Sequence, residues 1–172
     1  MVFNDYIYLH LLLFFISHSF AFTHPPDVTA LQGLYRTLNY PPALQGWNGG
    51  DPCEESWTGV ACSGSSVIHL NLSHNFLSGP IGNVFTGLDN FKEMDLSYNN
   101  FTGDLPSSFG SLTGLDRLFL QNNRFTGSVT YLAELPLIDL NIQDNLFSGI
   151  LPQHFQTIPN LWSVIAINTY QF

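Results

Sequence analysis

The phrase LNLSHNFLSGPI, residues 70–81, recurs as MDLSYNNFTGDL at 94–105, as LFLQNNRFTGSV at 118–129 and as LNIQDNLFSGIL at 140–151. Its fixed points are the asparagines Asn75, Asn99, Asn123 and Asn145, spaced by 24, 24 and 22 residues. Just ahead of each, apolar residues alternate: Leu70/Leu72, Met94/Leu96, Leu118/Leu120 and Leu140/Ile142. Such alternation means a short strand with one face buried. One copy cannot bury its own apolar side, so successive copies must stack, and their strands form a parallel sheet along one side of a coil. Each asparagine side chain then turns inward. Its amide meets backbone groups that the bend after the strand leaves unpaired, and repetition predicts a hydrogen-bonded ladder along the coil.

Working outward, an apolar anchor follows each asparagine by two residues: Leu77, Phe101, Phe125 and Phe147. Then come Gly79, Gly103, Gly127 and Gly149, where the backbone needs angles that side chains forbid. Ile81, Leu105, Val129 and Leu151 are the next inward residues, and Phe85, Phe109 and Phe155 fill the convex side ahead of Leu88, Leu112 and Ile158. The 22-residue copy has lost two residues near Leu132, Leu135 and Pro136, on the convex side, where the sheet register is untouched. These features predict an α/β repeat solenoid, a short leucine-rich-repeat coil with a parallel concave sheet. Such a fold offers a surface for binding rather than a buried pocket for chemistry.

A solenoid end exposes its core and requires a cap. In DVTALQGLYRTLN, residues 27–39, Leu31, Leu34, Tyr35 and Leu38 fall at helical spacing, which predicts an amphipathic helix with Asp27 as N-cap, stopped by Pro41 and Pro42. Residues 43–66 are rich in turn formers and carry Trp47 and Trp57. Those two rings are expected to pack the cap; the other reading is a ligand-stacking platform.

The 172 residues carry 4 Lys plus Arg against 13 Asp plus Glu, a net charge of -9, which argues against nucleic acid and against a polybasic membrane-surface role. IYLHLLLFFI at 7–16 is an apolar run of signal-peptide length, too short to span a bilayer, and Ser19 and Ala21 suit a cut after Ala21. Asp5, with no Lys or Arg, precedes the run, and the alternative is an uncleaved anchor or a buried helix. No later stretch predicts a membrane span in the mature chain. The expected division is a signal peptide at 1–21, the cap at 22–66, four repeats and a partial fifth at 67–160, and a divergent tail at 161–172. An exported, extracellular chain would join Cys53 and Cys62 as one disulfide. The alternative is half of a metal site, with His69 and His74 as the nearest histidines.

The phrase LxLxxNxLxGxIP resembles the plant-type extracellular leucine-rich repeat. The flank DVTALQGLYRTLN, followed by LQGW and GGDPCEESWTGVAC, is similar to the plant cap that precedes such repeats. DPCEESWTGVACSGSSVIHLNLS, NNFTGDLPSSF and LFLQNNRFTGSV resemble the STRUBBELIG receptor family, over about residues 24–160. That resemblance implies the ectodomain of a receptor-like kinase, which in the family precedes one membrane helix and a cytoplasmic kinase domain. This sequence has fewer repeats than the family usually has, and it carries no membrane helix, Gly-rich nucleotide loop or catalytic Asp motif. After Asn160 the pattern decays: Leu161, Val164 and Ala166 start a fifth strand, but Thr169 stands where the next asparagine belongs. The expectation is a non-enzymatic recognition module, a truncated product or a soluble ectodomain fragment.

The outward residues of the strands make the candidate binding face: Glu93, Asp95 and Tyr98, then Arg117, Phe119 and Gln121, then Asp139 and Asn141, with His69, Asn71, Ser73 and His74 at one end. Adjacent strands lie about 4.8 Å apart, so these side chains form one panel. Tyr98 and Phe119 are expected as exposed aromatics at its centre beside Arg117, residue types enriched at binding hot spots; the plain alternative is a solvated sheet face. Glu93, Asp95, Asp139 and Asp144 lie in the open, where nothing raises a carboxylate pKa, so paired acid–base chemistry is not expected. His69 and His74 are poorly spaced for a metal, and no cofactor is expected. Asn71-Leu72-Ser73 and Asn100-Phe101-Thr102 are glycosylation acceptors in an exported chain, Asn71 on the concave face and Asn100 in the turn after a strand. The partner expected is a peptide or protein, including another receptor-kinase ectodomain. The alternatives are a secreted inhibitor of a cell-wall-degrading enzyme or a truncated product without function.

Overall fold

Proline lacks an N–H, and the first turn of a helix has no intrahelical acceptor for one, so Pro25 and Pro26 suit a helix start. In the computed structural model, which describes residues 22–162, helix α1 runs Pro25–Thr37 with His24 at the cap position. The helix therefore opens before Asp27, which is not its N-cap. Asp27 is 3% exposed in the first turn, and its carboxylate accepts the Val67 N–H at 2.7 Å. A buried acceptor is worth more across the cap than at a helix end that the prolines already satisfy. Asn39 and Tyr40, both at positive φ, turn the chain away before Pro41. The signal-peptide reading of 1–21 and the tail reading beyond Trp162 lie outside the described residues.

Ala30, Leu31 and Leu34 bury one side of α1 against the cap. Trp47 and Trp57 are each 1% exposed, with ring centroids 5.3 Å apart, and the Trp47 indole N–H donates to Thr58 O at 2.9 Å. They pack the cap and present no stacking platform. Cys53 and Cys62 are joined as a disulfide, their Cα atoms 5.7 Å apart. Beside it the Asp51 carboxyl is buried, which raises its pKa. Donation from the Thr23 hydroxyl and N–H and from the Glu54 and Cys53 N–H groups outweighs burial and holds the pKa below the ordinary carboxylate value.

Strand β1 (Val60–Ser63) folds antiparallel onto β2 (Ser66–Asn71) and closes the sheet at the cap end. Gly59 sits at φ 78°, and a Cβ there would lie 2.1 Å from Asn71 O, so only glycine admits this approach. β4 (Glu93–Asp95), β6 (Arg117–Phe119), β8 (Asp139–Asn141) and β9 (Asn160–Trp162) follow in parallel, giving the order β1-β2-β4-β6-β8-β9 among the described residues. The register aligns Leu70, Met94, Leu118, Leu140 and Leu161. The fifth strand thus forms on Leu161; Val164 and Ala166 lie outside the described residues.

A second sheet, which the alternation of apolar residues did not predict, contains β3 (Ser78–Gly79), β5 (Asn100–Asp104) and β7 (Arg124–Thr126), paired in parallel. Beyond Asn75, Asn99 and Asn123 a short stretch of backbone is extended, and stacking at strand distance lets these segments bond. Asn100 therefore opens a strand rather than occupying a turn. On the convex side, short 3-10 helices at Ser107–Ser111, Thr130–Leu132 and Gln153–Thr157 drop Phe109, Leu132 and Phe155 into the core. Phe101, Phe125 and Phe147 stack in a column, with centroids 5.9 and 6.0 Å apart. Stacked rings of one size keep the column free of voids, and density is what core stability depends on.

The ladder forms as the repeats require. Asn123 donates to Leu96 O at 2.8 Å and Leu120 O at 3.1 Å, while its Oδ1 accepts the Phe101 N–H at 3.0 Å. Asn99 treats Leu72 O and Leu77 N–H in the same way, and Asn145 does so with Leu120 O and Phe125 N–H. Each of these three amides ties its coil to the one before. Asn75 donates only within its own coil, to Leu72 O and Ser73 O, and is half-buried.

Candidate functional site

The inward residues of the strands are consumed by the core, so function falls to the side chains that alternate with them. Glu93 lies between two bases. The Arg117 guanidinium reaches its Oε2 at 3.0 Å, and His69 Nδ1 lies 3.6 Å from the same oxygen. Asp116 stands 3.6 Å from Arg117 Nε, too long for a hydrogen bond. Arg117 is thus drawn toward its own carboxylates rather than held out as a free cation. Asp139 is half-buried and Asp144 exposed, so β8 and the bend after it present acid.

A bend follows each strand, and two rows of side chains shape it. Asn71 Oδ1 accepts the Ser73 N–H at 3.0 Å, Asp95 Oδ1 accepts the Ser97 N–H at 2.9 Å, and Asn141 Oδ1 accepts the Gln143 N–H at 3.1 Å. These are Asx turns, in which a short side chain stands in for a backbone carbonyl. Asp95 also takes the Ser97 hydroxyl, so its charge is spent locally and Ser97 is buried, not outward. Phe119 holds the corresponding place in its repeat. It is half-buried rather than an exposed aromatic, at a position bordered by Asp95 and Asn141 on the neighbouring strands.

The second row is His74, Tyr98, Asn122 and Asp144, all left-handed, with φ of 54°, 53°, 57° and 51°. Sequence reasoning placed His74 and Tyr98 on the panel but missed the backbone state of this row. The signal was present, because His, Asn and Asp are the non-glycine types that tolerate this region best. The turn lifts the side chains off the sheet, and the His74 and Tyr98 rings stack with centroids 4.2 Å apart. Tyr98 is 45% exposed. The panel therefore combines an exposed aromatic stack, an ion-paired centre and acid at β8 and the bend after it. His69 and His74 point to different partners, and no cluster of three or more metal-ligating side chains exists among the described residues. No helix among the described residues is long and apolar enough to cross a membrane.

Residues 24–63 match the leucine rich repeat N-terminal domain family, and residues 65–125 match the leucine rich repeat family. Protein STRUBBELIG-RECEPTOR FAMILY 2 of Arabidopsis thaliana is 48% identical over 212 residues, covering 81% of this chain and 29% of that protein. The chain thus spans under a third of that relative's length. The matched span exceeds the chain's own 172 residues, so the relative carries additional residues between matched segments. Among solved structures, the ectodomain of the Arabidopsis thaliana receptor kinase GASSHO1/SCHENGEN3, in complex with CASPARIAN STRIP INTEGRITY FACTOR 2, superposes with a TM-score of 0.71 at 32% identity, covering 84% of this chain and 18% of that one. The Arabidopsis receptor kinase HAESA, solved with the peptide hormone IDA and the co-receptor SERK1, superposes with a TM-score of 0.67 at 27% identity, covering 78% of this chain and 24% of that one.

Proposed function

This chain belongs to the leucine-rich-repeat proteins of the plant receptor-ectodomain type, and on that premise we propose that it is an extracellular recognition module. Its concave panel binds a peptide or a second repeat ectodomain. The observation that carries this reading is the exposed His74–Tyr98 stack together with the Glu93–Arg117 pair, on a sheet face that no element among the described residues covers. Aromatic rings supply contact area at low entropic cost, and paired charges supply orientation. The acidic Asp139 and Asp144, with a chain charge of -9, favour a partner carrying Lys or Arg. The solved relatives with peptide hormones and a co-receptor support the same class of partner. The repeats themselves act through binding and join signalling by pairing with a partner ectodomain or peptide.

The test is surface binding of the secreted chain to arrayed receptor ectodomains and to basic peptides. Tyr98→Ala combined with Arg117→Ala weakens a genuine concave partner at least tenfold, whereas Tyr131→Ala on the convex side leaves it unchanged. A partner lost with Tyr131→Ala and indifferent to the concave pair contradicts the proposal.

A further inference from the structure

The two glycosylation motifs sit in opposite surroundings, and from that difference we infer that Asn100 carries an N-linked glycan while Asn71 does not. The inference rests on export of the chain. At Asn100 the backbone is fixed, its N–H bonded to Leu77 O at 2.8 Å, but the exposed carboxamide makes no hydrogen bond among the described residues. Its strand neighbour is the small, exposed Ser78, and Thr102 lies on the same side of β5, as alternation in a strand requires. A sugar attached there leaves through open space, and nothing in the fold has to move.

Asn71 is exposed as well, but its side chain is engaged and its neighbours differ. Its Oδ1 accepts both the Ser73 N–H at 3.0 Å and the Ser73 hydroxyl at 2.8 Å, so the amide oxygen and the motif's hydroxyl are engaged with each other and hold the side chain in place. Asp95 and Asn141 make the equivalent turn in later coils, which marks the Asn71 amide as part of the bend. Across the sheet it pairs with Asp95, inside the panel. A glycan at Asn71 would stand over the face through which this chain meets its partners. A glycan at Asn100 covers the second sheet and leaves the panel open.

The experiment expresses the full chain in a secretory host and reads intact mass before and after peptide:N-glycosidase, with thiol labelling of Cys53 and Cys62 as an independent sign of lumenal entry. The expected result is one glycan, absent from Asn100→Gln and Thr102→Ala, retained in Asn71→Gln, and retained in Thr102→Ser, which keeps both the motif and the strand. A disulfide-bonded chain with no glycan overturns the inference, as does a glycan that survives Asn100→Gln or a second one lost with Asn71→Gln. Labelled thiols with no glycan contradict export, and the glycan with it. Enzymatic removal of the sugar leaves concave binding unchanged within twofold; a larger change means that the second sheet also contacts the partner.

Discussion

Asn75 and Asn123 hold the same place in the phrase and do different work. Asn123 is 9% exposed and reaches both ways, donating to carbonyls of its own and the preceding coil and accepting the Phe101 N–H. Asn75 is half-buried and bonds only within its own bend. The coil before it is the cap, whose hairpin presents no anchor residue to clasp. The asparagine is therefore a joint between coils first and a bend-former second, and its worth depends on what stands on its N-terminal side.

That contrast can be broken or sharpened in order of effect. Phe125→Ala opens a hole in the middle of the ring column, between Phe101 and Phe147, and costs about 4 kcal/mol by urea denaturation. Asn123→Ala leaves the Phe101 N–H buried without its acceptor and takes one of two donors from the Leu96 carbonyl, a loss of about 3 kcal/mol. Asp51→Asn removes the charge that four donors hold in the cap, at about 2 kcal/mol. The sign of its pH dependence follows from the depressed pKa. The charge stabilises the fold above the ordinary carboxylate value, and that part is lost as pH falls through the lower folded value, so wild type loses more stability on acidification than Asp51→Asn. Asn75→Ala costs about 1 kcal/mol, because only bonds within one bend go. Tyr98→Ala, at an exposed ring, changes stability by no more than about 0.5 kcal/mol while impairing binding. Equal losses for Asn75→Ala and Asn123→Ala would remove the distinction drawn above.

The inward half of this molecule was legible because it obeys a period. Leu70, Met94, Leu118 and Leu140 had to align once the asparagines did, and Gly79, Gly103, Gly127 and Gly149 all lie at positive φ as their spacing required. Gly127 shows why a second residue type is strained there, since its φ of 69° is one that side chains disfavour. The outward half obeys no such rule. The half-burial of Phe119, the withdrawal of Arg117 toward Glu93 and the burial of Ser97 depend on particular neighbours, which periodicity does not describe. The helix start failed for a local reason: Asp27 is a good cap by type, but the prolines ahead of it are better first-turn residues, and Val67 had a use for the carboxylate. The second sheet was missed because its strands are paired by the stacking of coils rather than by a pattern of their own.

The joint between coils is tested most directly by amide hydrogen exchange in Asn123→Ala. Phe101 donates its N–H to Asn123, and Phe125 donates its own to Asn145, which the substitution leaves in place. Protection at Phe101 should fall well beyond the drop at Phe125, which follows the global loss of stability alone. Equal falls at the two amides, or undiminished protection at Phe101, would contradict a ladder in which each asparagine holds the coil before it.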